Sequence, residues 1–461
     1  MARTPGGTLS AFTLLSTPDA PTITSISTGI GSASVAFTAP SDTGDGAITS
    51  YVVTAVDESS GVSTGVSGAS SPITVSPPAG GTFKIRMQAL NPYGPGRLTE
   101  YDTGNVIYSG AELYAWGSNS NGQLGDGTAV IKSSPVQIGA LTNWLQATVG
   151  FRHTAAVKTD GTVWTWGYNS TGQLGDNTAI NKSSPVQIGA LTDWSQVGAG
   201  NYHTVAVKSG GTAWAWGRNN HGQIGDNSAV NRSSPVQIGA LTNWSRVSAG
   251  RYHTALIKND STIWLWGRNN YGQLGDNTTT SRSSPVQIGA LTDWAQLATG
   301  TGHTVVVKTN GTLWAWGFSG SGQLGDNTTV AKSSPVQIGI LANWSRVAAE
   351  ASQTIAVKTD GTLWAWGANS LGQLGDGTTP SKSSPVQIGA LTNWAQASAG
   401  NYHTAAVKTD NTIWAWGRSN FGQVGDNTNV NKSSPVQIGA LTDWVEVSAG
   451  GDHTLALYGV V

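Results

Sequence analysis

The sequence contains no cysteine among its 461 residues. Disulfide bonds, thiolate metal sites and a cysteine nucleophile are therefore excluded. Charge is also sparse: charged residues make up 11% of the chain, and 24 Lys and Arg stand against 25 Asp and Glu. Because nucleic-acid binding depends on clustered cations, this composition argues against a nucleic-acid partner.

Long apolar runs are missing as well. No run approaches the roughly 18 apolar residues that a membrane-spanning helix needs, so no membrane span is expected. Segment 1–21 carries one Arg and an apolar run of about five residues, which is too short for the apolar region of a secretion signal. We therefore expect a soluble chain without a classical signal peptide.

Gly and Trp are abundant, with 61 and 20 copies, and most of them belong to a repeat. From Glu112 onward the sequence repeats every 50 residues without insertion, and a Trp-Gly pair begins at 116, 166, 216, 266, 316, 366 and 416. Within one unit, "SQVGAG", "HTVAVK", "TAWAWG" and "VQIG" predict four short strands separated by turn residues. Units of four strands at this period predict the blades of a β-propeller in an all-β protein.

The two ends of the repeat array complement each other. The first unit begins at the third strand, "ELYAWG", and the last ends after the second strand, "HTLALY". Pairing Val445 to Tyr458 with Glu112 to Ile138 would complete a seventh four-stranded blade. Because closure removes the exposed strand edges of an open array, we predict a closed seven-bladed propeller.

The repeated motifs "WGRNNHGQIGD" and "VSAGRYHTAL" resemble the repeats of the regulator of chromosome condensation family. The resemblance covers residues 111–461 and implies a seven-bladed propeller. In the founding member of that family, an inserted hairpin and a basic tail are associated with exchange activity on a small GTPase and with chromatin contact. The uniform units of this chain have neither addition, so the resemblance does not imply these two activities.

A different pattern precedes the repeats. The stretches "APTITSISTGIGSASVAFTAP" and "FKIRMQALNPYGPG" alternate apolar and polar residues between turn residues. They resemble a fibronectin type III domain, with Tyr51 in the third strand and Phe37 at the usual tryptophan position. The resemblance implies an immunoglobulin-like β-sandwich. We predict an arm over 1–18, this sandwich and a linker over 19–110, and the propeller over 111–461.

Three recurring polar motifs have both chemical and structural interpretations. A His recurs at 153, 203, 253, 303, 403 and 453, with Gln353 in the remaining unit; a metal ring is conceivable, but a repeated hydrogen bond to a neighbouring loop is favoured. The Asp of "GQLGD" suits an Asx turn better than calcium, and the cation of "KSSP" or "RSSP" suggests a solvated strand edge. Glu350 and Gln353 depart from the repeat, and drift is the favoured explanation.

No catalytic set, cofactor or metal site is predicted, so the protein is not expected to be an enzyme.

Sequence variation is concentrated on one side of the predicted ring. The loops after the first and third strands share a face, and only these loops vary, at the dipeptide before "HT" and at four residues between "WG" and "GQ". Arg and aromatic residues collect there, as they do at protein interfaces. The candidate binding residues are Arg152, Tyr168, Tyr202, Arg218, His221, Arg251, Tyr252, Arg268, Tyr271, Phe318, Tyr402, Arg418 and Phe421. The alternative is that these loop tips are merely unconstrained.

The favoured interpretation from sequence is a non-enzymatic recognition protein of a bacteriophage virion, in its tail, fibre or capsid surface. Residues 1–110 would attach it to other virion proteins, and the propeller would bind a host-surface glycan or protein. The alternative is a bacterial surface or secreted adhesin. A third possibility, an intracellular exchange factor or scaffold, follows from the family resemblance alone.

Overall fold

The computed structural model describes residues 16–29, 32–57, 63–75, 82–107 and 111–459. The chain divides into two compact units, one of residues 1–109 with 461 and one of residues 110–460. Every regular element in the described ranges is a β-strand, which confirms the all-β prediction. Residues 1–15 of the predicted arm lie outside the described residues.

The first unit consists of two antiparallel sheets. Its strands are β1 (Thr22–Gly29), β2 (Ser32–Thr38), β3 (Ser50–Asp57), β4 (Ser63–Gly68), β5 (Ile73–Val75), β6 (Thr82–Asn91), β7 (Gly94–Pro95) and β8 (Thr99–Ile107). One sheet has the order β1-β2-β5, and the other has the order β4-β3-β6-β7 with β8 also paired to β6.

The two sheets share one apolar core. Alternate residues of β2, β3 and β6 are buried in a single cluster that includes Val35, Val53 and Met87. The rings of Phe37 and Tyr51 meet across it, with centroids 4.6 Å apart. The unit is therefore a β-sandwich, whereas its assignment as a fibronectin type III domain stays a prediction.

The second unit is built from shorter strands at regular intervals. They are β9 (Glu112–Gly117), β10 (Lys132–Gln137), β11 (Trp144–Val149), β12 (His153–Lys158), β13 (Val163–Gly167), β14 (Lys182–Gln187), β15 (Trp194–Ala199), β16 (His203–Lys208), β17 (Ala213–Gly217), β18 (Arg232–Gln237), β19 (Trp244–Ala249), β20 (His253–Lys258), β21 (Ile263–Gly267), β22 (Arg282–Gln287), β23 (Trp294–Thr299), β24 (His303–Lys308), β25 (Leu313–Gly317), β26 (Lys332–Gln337), β27 (Trp344–Glu350), β28 (Gln353–Lys358), β29 (Leu363–Gly367), β30 (Lys382–Gln387), β31 (Trp394–Ala399), β32 (His403–Lys408), β33 (Ile413–Gly417), β34 (Lys432–Gln437), β35 (Trp444–Ala449) and β36 (His453–Tyr458).

These strands form seven four-stranded antiparallel sheets, which we number as blades. Blades 1 to 6 are the consecutive sets β11–β14, β15–β18, β19–β22, β23–β26, β27–β30 and β31–β34, and blade 7 has the order β35-β36-β9-β10. Within each blade we name the strands A to D in that order. The A strands line a central channel, and each contacts the A strand of the next blade, including β35 with β11. The ring is closed.

Blade 7 joins the two ends of the repeat array. Strand β36 pairs with β9 in antiparallel register, with Leu455 opposite Ala115 and Leu457 opposite Leu113. Strand β9 in turn pairs with β10. The two ends of the array therefore complete one blade, as their complementary sequences predict.

Apolar side chains fill the space between neighbouring blades. Val157 and Val163 of blade 1 pack against Trp194 and Trp216 of blade 2 in one buried cluster. The Trp164 ring is only half-buried and meets Trp144 edge-on, with centroids 6.2 Å apart. Most of the Trp side chains are buried in this way. They stabilise the fold, because burying each ring removes on the order of 150–250 Å² of surface from water.

Deleting residues 445–461 tests the closure. The deletion removes β36 and most of β35, so the edge of β9 loses its partner and Val447 and Leu455 no longer fill the core. Each buried Val or Leu side chain contributes about 1.5–3 kcal/mol, so the ring should melt at a lower temperature and over a broader range. Scanning calorimetry of both chains measures this, and an unchanged sharp transition would contradict a blade built from both ends.

Candidate functional site

The loop from strand C to strand D is built around a buried asparagine. In blade 1, Asn169 Nδ2 donates hydrogen bonds to Asp176 Oδ1 and to the carbonyl oxygens of Thr178 and Ile180, at 3.0–3.2 Å. Its Oδ1 accepts the backbone N–H of Leu174 at 2.9 Å. The equivalent residue is Asn or Ser in every blade and is buried: Asn119, Asn219, Asn269, Ser319, Asn369 and Ser419. The prediction that all four residues between "WG" and "GQ" are free is therefore wrong for the second of them.

The aspartate of this loop is committed to the fold. Asp176 Oδ1 accepts the backbone N–H and the hydroxyl of Thr178, and Oδ2 lies 3.3 Å from Lys182 Nζ. Although burial opposes it, these hydrogen bonds hold the pKa of Asp176 below its usual value. The Asx turn is confirmed. The "KSSP" or "RSSP" strand is the partly exposed edge strand of its blade, as predicted, and its cation in addition pairs with the Asp of its own blade in all seven copies.

The fixed residues of the same loop hold the next blade. The carbonyl oxygen of Gln173 accepts the hydroxyl of Thr204 at 2.8 Å, and Asn177 N–H donates to the carbonyl oxygen of Ser233 at 2.8 Å. Gly175 has φ +78°, and a Cβ there would lie 2.6 Å from Trp216 Nε1. These inter-blade contacts explain why "GQ" and "GD" are kept while the outward residues before them vary.

The loops from A to B and from C to D lie side by side. In blade 2, Arg218 N–H donates to the carbonyl oxygen of Tyr202 at 2.9 Å, and Arg268 N–H does the same to Tyr252 in blade 3. We call the side of the ring formed by these loops the variable face. It comprises residues 118–131, 150–152, 168–181, 200–202, 218–231, 250–252, 268–281, 300–302, 318–331, 351–352, 368–381, 400–402, 418–431 and 450–452.

Stacked side chains lie on the variable face in blades 2 and 3. The rings of Tyr202 and Tyr252 stack at an interplanar angle of 23°, with centroids 6.0 Å apart. Arg218 Cζ lies 5.2 Å from the Tyr202 centroid and 5.3 Å from the Tyr252 centroid. Arg268 Cζ lies 5.4 Å from the Tyr252 centroid, and the His221 ring meets Tyr252 edge-on at 5.2 Å.

The stack continues into blades 1 and 4. Phe151 lies 6.1 Å from Tyr202 in centroid distance, and at the other end Tyr271 lies 4.7 Å from Phe318. We call the whole series the Arg–aromatic arc; its members are Phe151, Arg152, Tyr202, Arg218, His221, Arg251, Tyr252, Arg268, Tyr271 and Phe318. Phe151 is not among the candidate binding residues predicted from the sequence, although it precedes Arg152 in a varied dipeptide.

The remaining candidate residues lie apart from the arc. Arg418 Cζ is 5.5 Å from the Tyr402 centroid and 5.2 Å from the Phe421 centroid, in blade 6. Its guanidinium also pairs with Asp452 at 3.3 Å. Tyr168 is half-buried on the same face, and no ring contact within the described ranges joins it to either group.

The recurring histidines connect each blade to the next. His203 Nε2 lies 2.8 Å from Thr254 Oγ1, and that hydroxyl donates its proton to the carbonyl oxygen of Gln223. Thr254 therefore accepts from the imidazole, which carries its proton on Nε2. Burial lowers the pKa of His203 to about 3, so the ring stays neutral. The structural interpretation is supported, but the partner is a strand Thr rather than a loop.

The two departures in blade 5 belong together. In blade 4, a Cβ on Gly300 would overlap His303, lying 2.6 Å from Nδ1. Blade 5 has Gln353 instead of His, and its Nε2 donates to the carbonyl oxygens of Gly400 and His403 at 2.9 Å. Glu350 and Gln353 therefore lie at the two positions whose side chains would overlap in blade 4, and in blade 5 a residue without an imidazole accompanies the larger side chain.

Glu350 lies where the central channel meets the variable face. The channel has a volume of about 340 Å³, and Glu350 lines it. Burial raises the pKa of Glu350 to about 7, although the N–H of Ala351 and the charge of Arg251 favour the carboxylate. Among the residues that the structure describes, no group of three His, Asp or Glu is arranged to hold a metal ion.

Family models match most of the repeat array. A model described as the RCC1-like domain matches residues 105–350, more than half of the 461 residues, and the regulator of chromosome condensation (RCC1) repeat matches 360–407 and 410–457. This chain belongs to the RCC1-like family. A sequence search of curated proteins finds no significant match.

Solved structures share the fold of this RCC1-like chain. Human WBSCR16 is 20% identical with a TM-score of 0.69, and the match covers 76% of this chain and 98% of that one. Prp20p from Saccharomyces cerevisiae is 20% identical with a TM-score of 0.68, over 76% and 92% of the two chains. At these identities the likeness concerns the fold alone.

The described ranges contain no helix long and apolar enough to cross a membrane.

The coupling between Gly300 and His303 gives a double-mutant test in the RCC1-like ring. Gly300→Ala should destabilise the protein by about 1–3 kcal/mol, because the new methyl group overlaps the imidazole. His303→Gln should relieve most of that loss in the double variant, as the pair in blade 5 suggests. Urea unfolding of all four chains measures the coupling, and strictly additive effects would contradict it.

The buried histidines predict acid sensitivity. The pKa of His203 is about 3 in the folded protein against 6.5 as its ordinary value, so between these pH values the unfolded chain binds the extra proton. Stability is therefore fully present above pH 6.5 and falls as the pH drops, by about 1.4 kcal/mol per pH unit for this group. His203→Gln should give a shallower decline than the parent between pH 4 and 6 in urea unfolding. Parallel curves would contradict this.

Proposed function

We propose that this RCC1-like chain is a non-enzymatic scaffold or exchange factor that binds a partner protein on the variable face. The supporting observation is the Arg–aromatic arc, which spans four of the seven blades with half-exposed Arg and aromatic side chains. Such side chains anchor protein interfaces, and exposing them costs solubility unless a partner covers them.

The chemistry of the polar groups favours binding over catalysis. The recurring His side chains are buried and neutral, and each makes a hydrogen bond to a Thr of the next blade, as His203 does to Thr254. The recurring Asp are held by turn hydrogen bonds and by Lys or Arg. A catalytic centre needs unlike titratable groups gathered at one place, whereas these blades repeat the same group around the ring.

The comparisons favour the scaffold and exchange-factor class over the other interpretations. The Prp20p structure is reported with binding to Gsp1p and histones, and another structure contains yeast RCC1 (Prp20) bound to Kap60. These names support a partner that is itself a protein. They give no support to the virion component or the adhesin, so neither host attachment nor virion partners belong to this proposal.

The first unit enters the proposal as a separate module. Its two sheets enclose one core in which Phe37 meets Tyr51, which supports the fibronectin type III-like assignment. We assign residues 19–110 to this module and 111–461 to the propeller.

Site-specific photo-crosslinking tests the proposed face. A photoreactive phenylalanine analogue replaces Tyr271, which is 42% exposed on the variable face, and in a matched variant it replaces Leu391, 48% exposed on the opposite face. We expect discrete protein adducts from position 271 but not from position 391 in extracts of the source cells. Adducts from position 391 alone, or equally from both, would overturn the proposal.

A combined substitution measures how much the face contributes. Changing Arg218, Arg268, Tyr271 and Phe421 to Ala should weaken binding of the captured partner at least about a hundredfold, since interface anchors of these types each contribute about 1–2 kcal/mol. The fold should persist, because blade 5 already carries Ala368 at the position of Arg218. Unchanged affinity of the folded variant would contradict the proposal.

If the captured partner is a GTPase, the rate at which it releases a fluorescent guanine nucleotide distinguishes an exchange factor from a scaffold. An exchange factor accelerates the release, and a scaffold leaves the rate unchanged.

A further inference from the structure

We propose that the Arg–aromatic arc binds an acidic, Asp- and Glu-rich segment of the partner protein, with the guanidinium groups of Arg218 and Arg268 as the carboxylate-binding groups. This inference rests on the proposed function and adds the chemistry of the partner to it.

The rings of Tyr202 and Tyr252, in the middle of the arc, already carry arginine side chains. Arg218 Cζ lies within 5.3 Å of both Tyr202 and Tyr252 centroids, and Tyr252 also has Arg251 Cζ at 5.0 Å and Arg268 Cζ at 5.4 Å. A sugar or a nucleic-acid base would need such a face free for stacking. The groups that remain for a ligand are guanidinium N–H donors, which bind carboxylates in a two-pronged geometry.

The positive charge of these two arginines has no counter-charge in the described residues. Neither Arg218 nor Arg268 is among the ion pairs of the described ranges, and the buried Nε of Arg268 has no hydrogen-bond acceptor there. The buried Nε of Arg251 also lacks an acceptor there, but a carboxyl group feels the charge of Arg251 and of Arg152: burial raises the pKa of Glu350 and of Asp452, and these two arginines respectively oppose that rise. The uncompensated charge is therefore centred on positions 218 and 268.

The neighbouring histidine supplies no negative charge. Burial lowers the pKa of His221, and the charges of Arg268 and Arg218 lower it further. At neutral pH His221 therefore adds an uncharged ring beside the two arginines. Stacking against Tyr252 also restricts both guanidinium groups before a ligand arrives, which reduces the entropy lost on binding.

Blade 6 supplies an internal control. Arg418 occupies the repeat position of Arg218 and Arg268 and also lies over aromatic rings, those of Tyr402 and Phe421. Its charge, however, is paired with Asp452 at 3.3 Å. Arg418→Ala, made throughout together with Asp452→Asn so that no unpaired carboxylate is left, therefore removes the same side chain from an equivalent loop without removing an uncompensated cation.

Binding of a defined peptide tests the inference on the full chain. The probe is a fluorescein-labelled peptide of alternating Glu and Gly, about twelve residues long so that an extended chain can span both arginines, and the control peptide has Gln in place of Glu. We expect anisotropy to show salt-sensitive binding of the Glu peptide alone. Arg218→Ala and Arg268→Ala should each weaken it about tenfold, and Arg418→Ala less than about twofold.

Several outcomes would overturn the inference. Equal binding of the Gln peptide, or an equal loss with Arg418→Ala, would show that the two arginines do not read carboxylates. Tighter arginine-dependent binding of single-stranded oligothymidine or tripolyphosphate than of the Glu peptide would assign the arc to phosphates. Self-association in sedimentation that Arg218→Ala abolishes would assign it to a second copy of this chain.

The crosslinking experiment separates this inference from the proposed function. If position 271 captures a protein whose affinity is unchanged by the Arg218→Ala, Arg268→Ala double variant, the acidic segment is wrong while the binding face stands. If the Glu peptide binds through both arginines but adducts form only from position 391, the binding face for the partner is wrong while the carboxylate preference of the arc stands.

Discussion

The buried hydrogen bond from a histidine to a threonine of the following blade is the interaction on which the geometry of the ring depends. His203 Nε2 needs Thr254 as an acceptor, and Thr254 is free to accept because its own proton goes to the Gln223 carbonyl. These two hydrogen bonds together connect two B strands and a C–D loop. The bond also fixes which ring nitrogen carries the proton. Burial keeps the imidazole neutral, since protonation would place an uncompensated charge at a fully buried site.

That imidazole is one of two groups that restrict the first residue of the A–B loop. This residue is glycine in six blades, and an added methyl group would meet the ring of the blade's own His in five of them and, at every position except Gly300, would clash with the carbonyl oxygen of the next blade's glycine. The six are Gly150, Gly200, Gly250, Gly300, Gly400 and Gly450. Where the ring is absent, in blade 5, a glutamate enters the channel. The composition of the channel wall is thus coupled to the packing between blades.

The same arrangement separates the fixed from the variable residues of the C–D loop. Asn169, Gln173 and Gly175 point toward the blade's own turn or toward the next blade, where a change would break several contacts at once. The residues equivalent to Arg218 and His221 contact mainly other loop tips. The residues of the variable face can therefore change while the ring keeps its fold, because the side chains of that face make few of the contacts between blades.

The sequence by itself determined the period, the number of blades, the closure and the side of the ring on which variation collects. These follow from local strand patterns and from a repeat without insertions, which leaves one register for each unit. The sequence did not determine that one of the four loop residues is buried, that the "KSSP" cation pairs with its own aspartate, or that Phe151 joins the arc. The first two depend on how the C–D loop folds onto itself, with Asn169 bonded to Asp176 and Asp176 paired with Lys182. The third depends on Tyr202, 51 residues along the chain from Phe151. Neighbouring blades bring such distant residues together, and so only the tertiary structure decided the order of stacking and which arginines remain without a counter-charge.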